Sequence, residues 1–545
     1  MGKKSKLAGA IAGAVLVMGA ASQAFAVANC GDINASGGTP DAIDSVGLAQ
    51  VVLAGGIPVA GHCGASGTLQ CGDLVDDNVI NSQDLVASLQ VAASIETLLT
   101  PCTGFGPTLA CDSTVSGTIN TNQVWPTGCD TFVDGTTFIS SGTVITVQAG
   151  ATVKGRKTST NSTPSTLIFL RGSKINAAGT AALPIVMTSD QTPGTRAKAD
   201  WGGVTLLGSA PVNFPGGEGG CEGLPAGTCN FGGSEPNDSS GQVRFTRIEF
   251  SGVLFSTDNE LNIFTMNGIG RGTTIDHVQA NVGDDDGMEW FGGTVNGKFL
   301  VVTSTFDDIF DWQIGYTGSN QFGLGYHNVA VQIASGHNGF EADNNENGFD
   351  NTPRSNPEFC NFTVIGSTRQ GVTSSGSGAN VRRGTAGKIA NAILMDFTSA
   401  GLDIDDDATL ARGCTNSTTL QTTEPVLRVQ DTILHNNAGG ALQTIGSTTA
   451  PTCTPNQLAG LWQTGEGLIV TATNPLPSIT ATFPSSVDNR YFPLSGGEAD
   501  GAPDCALLRP EFFDSAPYIG AFEPGGGTPE NWLVTTGNWI SFATN

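Results

Sequence analysis

The sequence predicts a mainly β chain, a β-solenoid of stacked coils preceded by a small all-α domain. From about residue 111 the composition shifts to Gly, Thr, Asn, Ser and β-branched residues, and short strand patterns replace helical periodicity. A three-residue pattern then recurs at intervals of 22 to 39 residues, which is typical of a repeat architecture. Residues 30–100 differ, because their apolar residues recur at helical spacing after two polar loops.

The first 26 residues have the pattern of a secretory signal peptide. Lys3, Lys4 and Lys6 precede an apolar stretch over residues 7–18, and Ala24-Phe25-Ala26 (24–26) has the form of a cleavage site. The mature chain is therefore expected to begin near Val27. A lipid on Cys30 is the alternative, which the bulky Asn29 before it disfavours. No other segment has 18 unbroken apolar residues, so no transmembrane helix is expected.

The mature chain is strongly acidic. The sequence has 23 basic and 49 acidic residues and a net charge of −26; without the three signal lysines, 20 basic against 49 acidic residues leave −29. Such a surface repels nucleic acid and anionic membranes and suits a protein that binds cations outside the cell. We expect a secreted protein, extracellular or at the cell surface, with the periplasm as the alternative.

The 12 cysteines fit an oxidising compartment and show no CxxC spacing, so structural disulfides are expected rather than a zinc or haem site. Cys221 and Cys229 bracket a Gly-rich loop and are the one pair that the sequence suggests. The other pairings stay open.

Residues 27–103 contain two loops with the spacing of calcium ligands. Calcium prefers six or more oxygens, and residues at loop positions 1, 3, 5, 7, 9 and 12 point such oxygens inward. The second loop supplies Asp73, Asp77, Val79 through its carbonyl, Asn81 and Asp84. The first loop supplies Asp32, Asn34 and Ser36, and Asp44 follows a three-residue insertion.

These loop–helix units resemble a dockerin-like domain, an EF-hand-type fold in which calcium holds two such units together. The resemblance implies Ca²⁺ as the cofactor, and docking either to another extracellular protein or to another part of the same chain. Val75 and Gly47 depart from the pattern, because each removes a side-chain ligand. Solvated acidic turns before two helices are the alternative.

The solenoid prediction for residues 111–470 depends on a repeated small, apolar, polar triplet. Its apolar members are Leu261, Met288, Phe310, Phe340, Val372, Leu402 and Ala441. Most follow a second strand pattern by about ten residues, at 275–279, 299–303, 328–333, 361–366, 391–395 and 431–435. The apolar members are expected to stack in the interior, and their polar neighbours, such as Glu289, Asp311 and Glu341, are expected to face outward.

A second motif carries a resemblance. Gly179, Thr180, Pro184, Ile185, Thr188 and Ser189, followed by Trp201-Gly202-Gly203, make up a pattern similar to secreted, pectin-lyase-like proteins of bacterial surfaces. The resemblance implies a right-handed parallel β-helix over most of residues 140–450 and specifies fold better than function.

Polar residues, most of them acidic, cluster beside the predicted interior positions. The clusters are Asp284 to Asp286; Asp307, Asp308 and Asp311; His337, Glu341, Asp343 and Glu346; and Asp403, Asp405, Asp406 and Asp407. Stacked coils lie about 4.8 Å apart, so these carboxylates would share one face and repel each other. A cation, a shared proton or strong hydration has to relieve that repulsion.

Two functions follow from this face. The first is a structural, adhesive or binding role, either as a solvated ridge or as a calcium-stiffened surface that binds polysaccharide or another extracellular protein. The second is a carbohydrate-active enzyme, since the order of motifs resembles polygalacturonase-type glycosidases. That resemblance assigns Asp286, Asp307 and Asp308 to acid–base chemistry, His337 to orientation and Arg383 to a substrate carboxylate. A polysaccharide lyase with Arg383 or Lys388 as base is a further variant.

Two features complete the predictions. Trp290 and Trp312 follow the outward carboxylates by one residue, so they are expected either to platform a sugar ring or to pack. Residues 471–545 are aromatic-rich and are expected to form a cap on the open end of the solenoid or a packed tail. The sequence leaves self-assembly open.

Overall fold

The computed structural model describes residues 111–545 apart from 159–163, 225–226, 257–258, 332–336, 373–375, 444–447, 450–451, 485–489, 506–507, 510, 527–531 and 534–538. The predicted signal peptide and the calcium loops of residues 27–103 lie outside the described residues. In the described part, 26 strands form one continuous sheet in which the strands pair in parallel. The parallel β-helix expected from the sequence is therefore confirmed.

The first strands are β1 (Ser113–Ile119), β2 (Gln123–Trp125), β3 (Asp130–Ile139), β4 (Val144–Val147), β5 (Thr152–Gly155), β6 (Thr166–Phe169), β7 (Lys174–Ala178), β8 (Ile185–Ser189), β9 (Val204–Leu207), β10 (Glu218–Gly220) and β11 (Asn230–Gly232). The middle strands are β12 (Gly241–Ser251), β13 (Val253–Ser256), β14 (Asn259–Leu261), β15 (Phe264–Asn267), β16 (Thr274–Gly283), β17 (Met288–Phe291), β18 (Asn296–Thr303), β19 (Phe310–Gln313), β20 (Ser319–Tyr326), β21 (Phe340–Ala342) and β22 (Glu358–Ile365). The last strands are β23 (Ala379–Val381), β24 (Gly387–Ala390), β25 (Ile393–Met395), β26 (Leu402–Ile404), β27 (Cys414–Asn416), β28 (Thr419–Leu420), β29 (Leu427–Gln430), β30 (Ile433–His435), β31 (Leu442–Gln443) and β32 (Ile469–Thr471). Two helices, α1 (Asp407–Gly413) and α2 (Pro455–Gly465), and two 3-10 turns (Val329–Val331 and Thr368–Gln370) accompany them.

An apolar column runs through the interior of the coils. In the parallel pairing of equivalent strands, Met288 is the register partner of Phe310, and Phe310 is the register partner of Phe340. The column continues through Ala379 to Leu402. These four side chains are fully buried. The predicted interior stack is therefore confirmed for them.

The prediction is wrong for three other members of the column. Leu261 belongs to the hairpin β13–β14, and Phe264 takes its place opposite Met288. Ala379 replaces Val372, because a second triplet of the same pattern lies seven residues further along the same long coil. Leu442 rather than Ala441 pairs with Leu402. Local patterns repeat within a coil, and only pairing with the preceding coil selects one of them.

The second strand of each coil is where it was predicted in five of the six cases. The exception is 328–333, because the strand of that coil is Ser319–Tyr326 and Val329–Val331 form a 3-10 turn. Gly323 and Gly325 make the true strand look like a turn in the sequence. A Cβ on Gly323 would lie 2.0 Å from the ring of Phe362, so the glycine makes room for that interior side chain.

The C-terminal tail lies along one side of the coils. Val301, Leu324, Ile393 and Ile433 form an apolar outer face that Thr363 interrupts on one coil. Buried tail residues, among them Trp532 and Trp539, pack in the same cluster. Gln279 and Gln321 bond the backbone of the tail at Ser541 and Asp514. The tail therefore forms an extra layer on this face.

Helix α2 packs on the last coil instead of the tail. Thr454 caps its start through a reciprocal capping box with Gln457. Its buried residues Leu458, Ala459 and Trp462 join the interior core. The helix therefore takes the end position that the sequence suggested for the aromatic tail.

Four disulfides link the described residues: Cys111–Cys129, Cys221–Cys229, Cys360–Cys505 and Cys414–Cys453. The predicted Cys221–Cys229 pair is confirmed. Cys360–Cys505 joins β22 to the tail across 145 residues. Among the described residues, no helix is long and apolar enough to cross a membrane.

Candidate functional site: an acidic cleft

One cleft of about 500 Å³ opens on the outer face of the strands that carry the interior column. Carboxylates dominate its lining: Glu222, Glu260, Asp285, Asp286, Glu289, Asp307, Asp308, Asp311, Glu341 and Glu346. The other lining side chains that matter here are Phe214, Phe291, Gln313, Arg382 and Arg383. Ten carboxylates therefore face two guanidinium groups.

Strand geometry places the central carboxylates. Glu289 pairs with Asp311, and Asp311 pairs with Glu341, one residue after each step of the interior column. Because side chains alternate faces along a strand, burial of Met288, Phe310 and Phe340 inside forces these three carboxylates outward. The prediction of an outward polar column is therefore confirmed.

The turns before β17 and β19 add a second row. Asp285 and Asp286 precede β17, and Asp307 and Asp308 precede β19. Oxygens of Asp285, Asp286 and Asp307 lie within 4.8 Å of one another. The same limit holds for Asp286, Glu289 and Asp311, and for Asp308, Asp311 and Glu341.

These carboxylates are held away from water and close to one another. Burial raises the pKa of Asp285, Asp286, Glu289, Asp308 and Asp311 well above the usual range, and neighbouring carboxylates raise it further. Burial also raises the pKa of Asp307. Without a cation, the cluster therefore retains protons that exposed carboxyls would lose.

Hydrogen bonds satisfy part of the cluster. The backbone N–H of Asp308 donates to Asp286 Oδ1 over 2.8 Å, and the N–H of Asn338 donates to Asp308. Gln313 donates to Glu289 Oε1 over 2.8 Å. Asp311 is only 6 % exposed, and its Oδ1 has no hydrogen-bond partner. That buried oxygen is suited to a ligand from the cleft.

The two arginines form one end of the cleft. Asp343 is buried and accepts bonds from Arg382 Nε at 2.9 Å and from Arg383 Nη1 at 2.7 Å. Burial raises the pKa of Asp343 to about 7, although the Arg383 guanidinium opposes the rise. Arg383 adopts a left-handed backbone (φ 53°), and its N–H donates to Asp406. The guanidinium groups are thus held in place at the cleft edge.

The structure brings together four of the five residues that the sequence proposed for catalysis. Asp286, Asp307, Asp308 and Arg383 all line the cleft. His337 does not line it: the side chain is fully buried and packs edge-on against His327, at 4.8 Å between ring centroids.

Other predicted residues lie elsewhere. Lys388 pairs with Glu358 and Glu424, neither of which lines the cleft. Trp290 and Trp312 are each about 1 % exposed and belong to the interior core. Their interpretation as a platform for a sugar ring is therefore wrong, because they point inward from the same strands whose carboxylates point outward.

Sequence reasoning missed two acidic members of the cleft. Glu222 lies in the hairpin closed by Cys221–Cys229, and Glu260 precedes β15 in the hairpin β13–β14. Glu222 lies outside the repeated triplet, so no periodic signal pointed to it. Glu260 precedes Leu261 in a predicted triplet, but that triplet belongs to the hairpin and not to the interior column. The Cys221–Cys229 spacing was the one local clue to the first hairpin.

The donor set fits a hard divalent cation. Calcium binds six to eight oxygens, mostly from carboxylates, carbonyls and water. Each of the three triads provides at least three carboxylate oxygens, and no cysteine or histidine belongs to them. Asp311 belongs to two triads, and its unpartnered Oδ1 fits the same role.

A profile of the pectate-lyase-like β-helix domain family matches residues 117–461 of the chain. The chain belongs to this family. No match was found among curated proteins or among solved structures. Membership in the pectate-lyase-like β-helix family agrees with the parallel coils and is compatible with a carbohydrate-active or carbohydrate-binding role.

Proposed function

We propose that this β-helix binds calcium in its acidic cleft and, through the bound cation, an anionic polysaccharide. The observation that carries the proposal is the set of three overlapping carboxylate triads, with oxygens within 4.8 Å, along one cleft. Like charges at that distance require protons or cations. Calcium relieves the repulsion and leaves coordination positions open to a ligand.

The charge balance explains why a cation is needed. Ten carboxylates against two arginines repel a negatively charged sugar chain. Each calcium ion cancels two of those charges and presents a positive centre to the ligand. The family is described as pectate-lyase-like, and pectate, a polysaccharide rich in carboxylates, is the type of ligand that such a centre would attract.

The shape of the cleft suits an extended chain. Its lining follows five successive coils, from Glu260 through Glu289, Asp311 and Glu341 to Arg382. Four steps of about 4.8 Å give a length of roughly 19 Å along the solenoid. Arg382 and Arg383 lie at the far end, where they would bind a ligand carboxylate beside Glu341 and Asp343, with which they already pair.

Calorimetric titration of the full chain tests the proposal. Calcium is added to chelator-treated protein, and polygalacturonate binding is then measured with calcium, with chelator, and with neutral dextran as the comparison ligand. We expect binding of polygalacturonate only in calcium. Asp311→Asn should remove the cleft contribution to calcium binding, whereas the exposed Asp134→Asn should not. Equal calcium binding by wild type and Asp311→Asn refutes the cation site.

Enzymatic cleavage is the second candidate, favoured by Asp286, Asp307 and Asp308 meeting in one cleft with raised pKa values. A protonated and an ionised carboxyl are what a glycoside hydrolase needs, at separations of about 5–5.5 Å or about 6.5–9.5 Å. The test is release of reducing sugar, or absorbance of unsaturated products, from polygalacturonate and alginate. Loss of product formation in Asp307→Asn at unchanged stability supports cleavage; no product with wild type leaves binding alone.

The remaining predictions complete the proposal. Four disulfides in the described residues suit an oxidising compartment, and we propose that the protein is secreted. We further propose that residues 27–103 form a calcium-dependent, dockerin-like domain that docks to an extracellular partner. The residues that support this are Asp73, Asp77, Asn81 and Asp84 in the second loop.

A further inference from the structure

One wall of the cleft does not belong to the coils. Strands β10 and β11 pair antiparallel, and the Cys221–Cys229 disulfide closes the loop between them. Arg171 holds the base of this hairpin, through 2.8 Å contacts with Glu218 and with the carbonyl of Gly232. We call the described residues 218–224 and 227–232 the cleft hairpin.

The cleft hairpin is docked on the rim of the cleft. Gly223 has φ +70°, and a Cβ there would lie 2.6 Å from the Glu260 carbonyl oxygen and from the Leu261 side chain. Phe231 packs edge-on against both Phe214 and Phe291, which line the cleft. Contacts at Gly223 and along β11 therefore fix the hairpin's position.

This docking sets the position of Glu222. Glu222 lies between Cys221, held by the disulfide, and Gly223, held against Glu260, and its side chain lines the cleft. Its charge is among those that raise the pKa of Glu289, Asp285 and Asp286, after burial and the charges of nearer carboxylates. The hairpin thus brings a negative charge to a cluster that already repels itself, which is unfavourable unless a cation is present.

A separate observation points to a ligand in the same cleft. Asp311 lies on a coil strand, not on the hairpin, and its buried Oδ1 has no hydrogen-bond partner. A buried carboxylate oxygen without a partner is costly unless a cation or donor occupies the cleft.

We propose that Glu222 adds its negative charge to the cation site of the cleft and that the cleft hairpin is a functional wall which sets the affinity for calcium. The inference rests on the proposed function, because it adds a residue to the same cation site. It goes beyond the carboxylates on the coils, since it assigns part of the calcium affinity to a hairpin outside the repeat.

The test is calcium titration in a background that carries Asp32→Asn and Asp73→Asn, so that calcium bound there reports the cleft. We expect Glu222→Gln to weaken calcium binding by about tenfold, since the affinity of a calcium site rises with its negative charge. Glu218→Gln is the matched control, because Glu218 lies on the same hairpin but pairs with Arg171. A Cys221→Ser/Cys229→Ser variant should also bind more weakly, because Glu222 is no longer held in place.

A second readout separates a role in cation binding from a purely structural role. Without calcium, Glu222→Gln should melt at the same or a higher temperature than its parent, because a repelled charge is removed; a structural residue would melt lower. Unchanged calcium affinity in Glu222→Gln, with a parent that binds calcium, overturns this inference alone. A parent that binds no calcium overturns the proposed function as well.

Discussion

Replacement of Asp311 by Asn should stabilise the calcium-free protein, the reverse of the usual effect at a buried site. Asp311 belongs to two triads, so oxygens of Asp286, Glu289, Asp308 and Glu341 all lie within 4.8 Å of its carboxylate. At an effective dielectric constant of about 20, each ionised pair at that distance repels by about 3.5 kcal/mol. Asparagine has nearly the same shape and removes the charge.

Protonation limits the size of the effect. Keeping a carboxyl with an ordinary pKa near 3.9 protonated at pH 7 costs about 4 kcal/mol, and a more strongly repelled carboxylate takes up the proton instead. Asp311 therefore destabilises the calcium-free fold by at most about 4 kcal/mol. We expect Asp311→Asn to raise the free energy of unfolding by about 1–4 kcal/mol, below the limit set by protonation.

The measurement is urea or thermal unfolding at pH 7, with chelator and then with calcium. In chelator, the variant should be more stable than wild type. In calcium the order should reverse, because wild type gains a cation that the variant holds poorly. Asp134→Asn, an exposed carboxylate on β3, should follow wild type in both conditions. A variant less stable than wild type in chelator would show that neighbouring carboxylates do not repel Asp311 in the calcium-free protein.

Three further outcomes are expected. In chelator, the melting temperature should fall as pH rises from about 4, because the cleft carboxyls have raised pKa values in the folded state and keep protons that the unfolded chain releases. Calcium should flatten this slope. A melting temperature that rises with pH in chelator would contradict the prediction. Phe340→Ala should cost about 3–5 kcal/mol in urea unfolding, because the buried ring stacks on Phe310 at 5.4 Å, and a loss below about 1 kcal/mol would contradict the interior column. Calorimetry of the full chain should show a transition of residues 27–103 that moves down on chelation and is already lowered in Asp73→Asn; unchanged melting would make the loops ordinary turns.

The interior column and the outward carboxylates were predictable because alternation along a strand is a local property. Phe310 inward and Asp311 outward follow from the two-residue period alone, once parallel coils are assumed. The errors at Val372 and Ala441 show the limit of prediction from local alternation. A triplet can be recognised anywhere in a coil, but its partner in the next coil depends on the length and path of the loop between them.

Proximity in the candidate site was predictable only along the column. Asp286, Asp307 and Asp308 meet because coils stack in register, which the repeat implies. The resemblance to polygalacturonase-type glycosidases groups His337 with them, yet its buried side chain packs on His327. The direction of a turn residue is not determined by strand alternation.

The sequence by itself determined that this chain stacks parallel coils with apolar residues inside and a row of carboxylates outside, because strand periodicity depends on neighbouring residues alone. The tertiary structure alone decided that those carboxylates lie in a cleft, with Glu222 on one wall and Arg382 and Arg383 at one end. It also placed the tail on the side and α2 on the last coil. These placements depend on packing between segments that are tens to hundreds of residues apart, and no local pattern encodes such contacts.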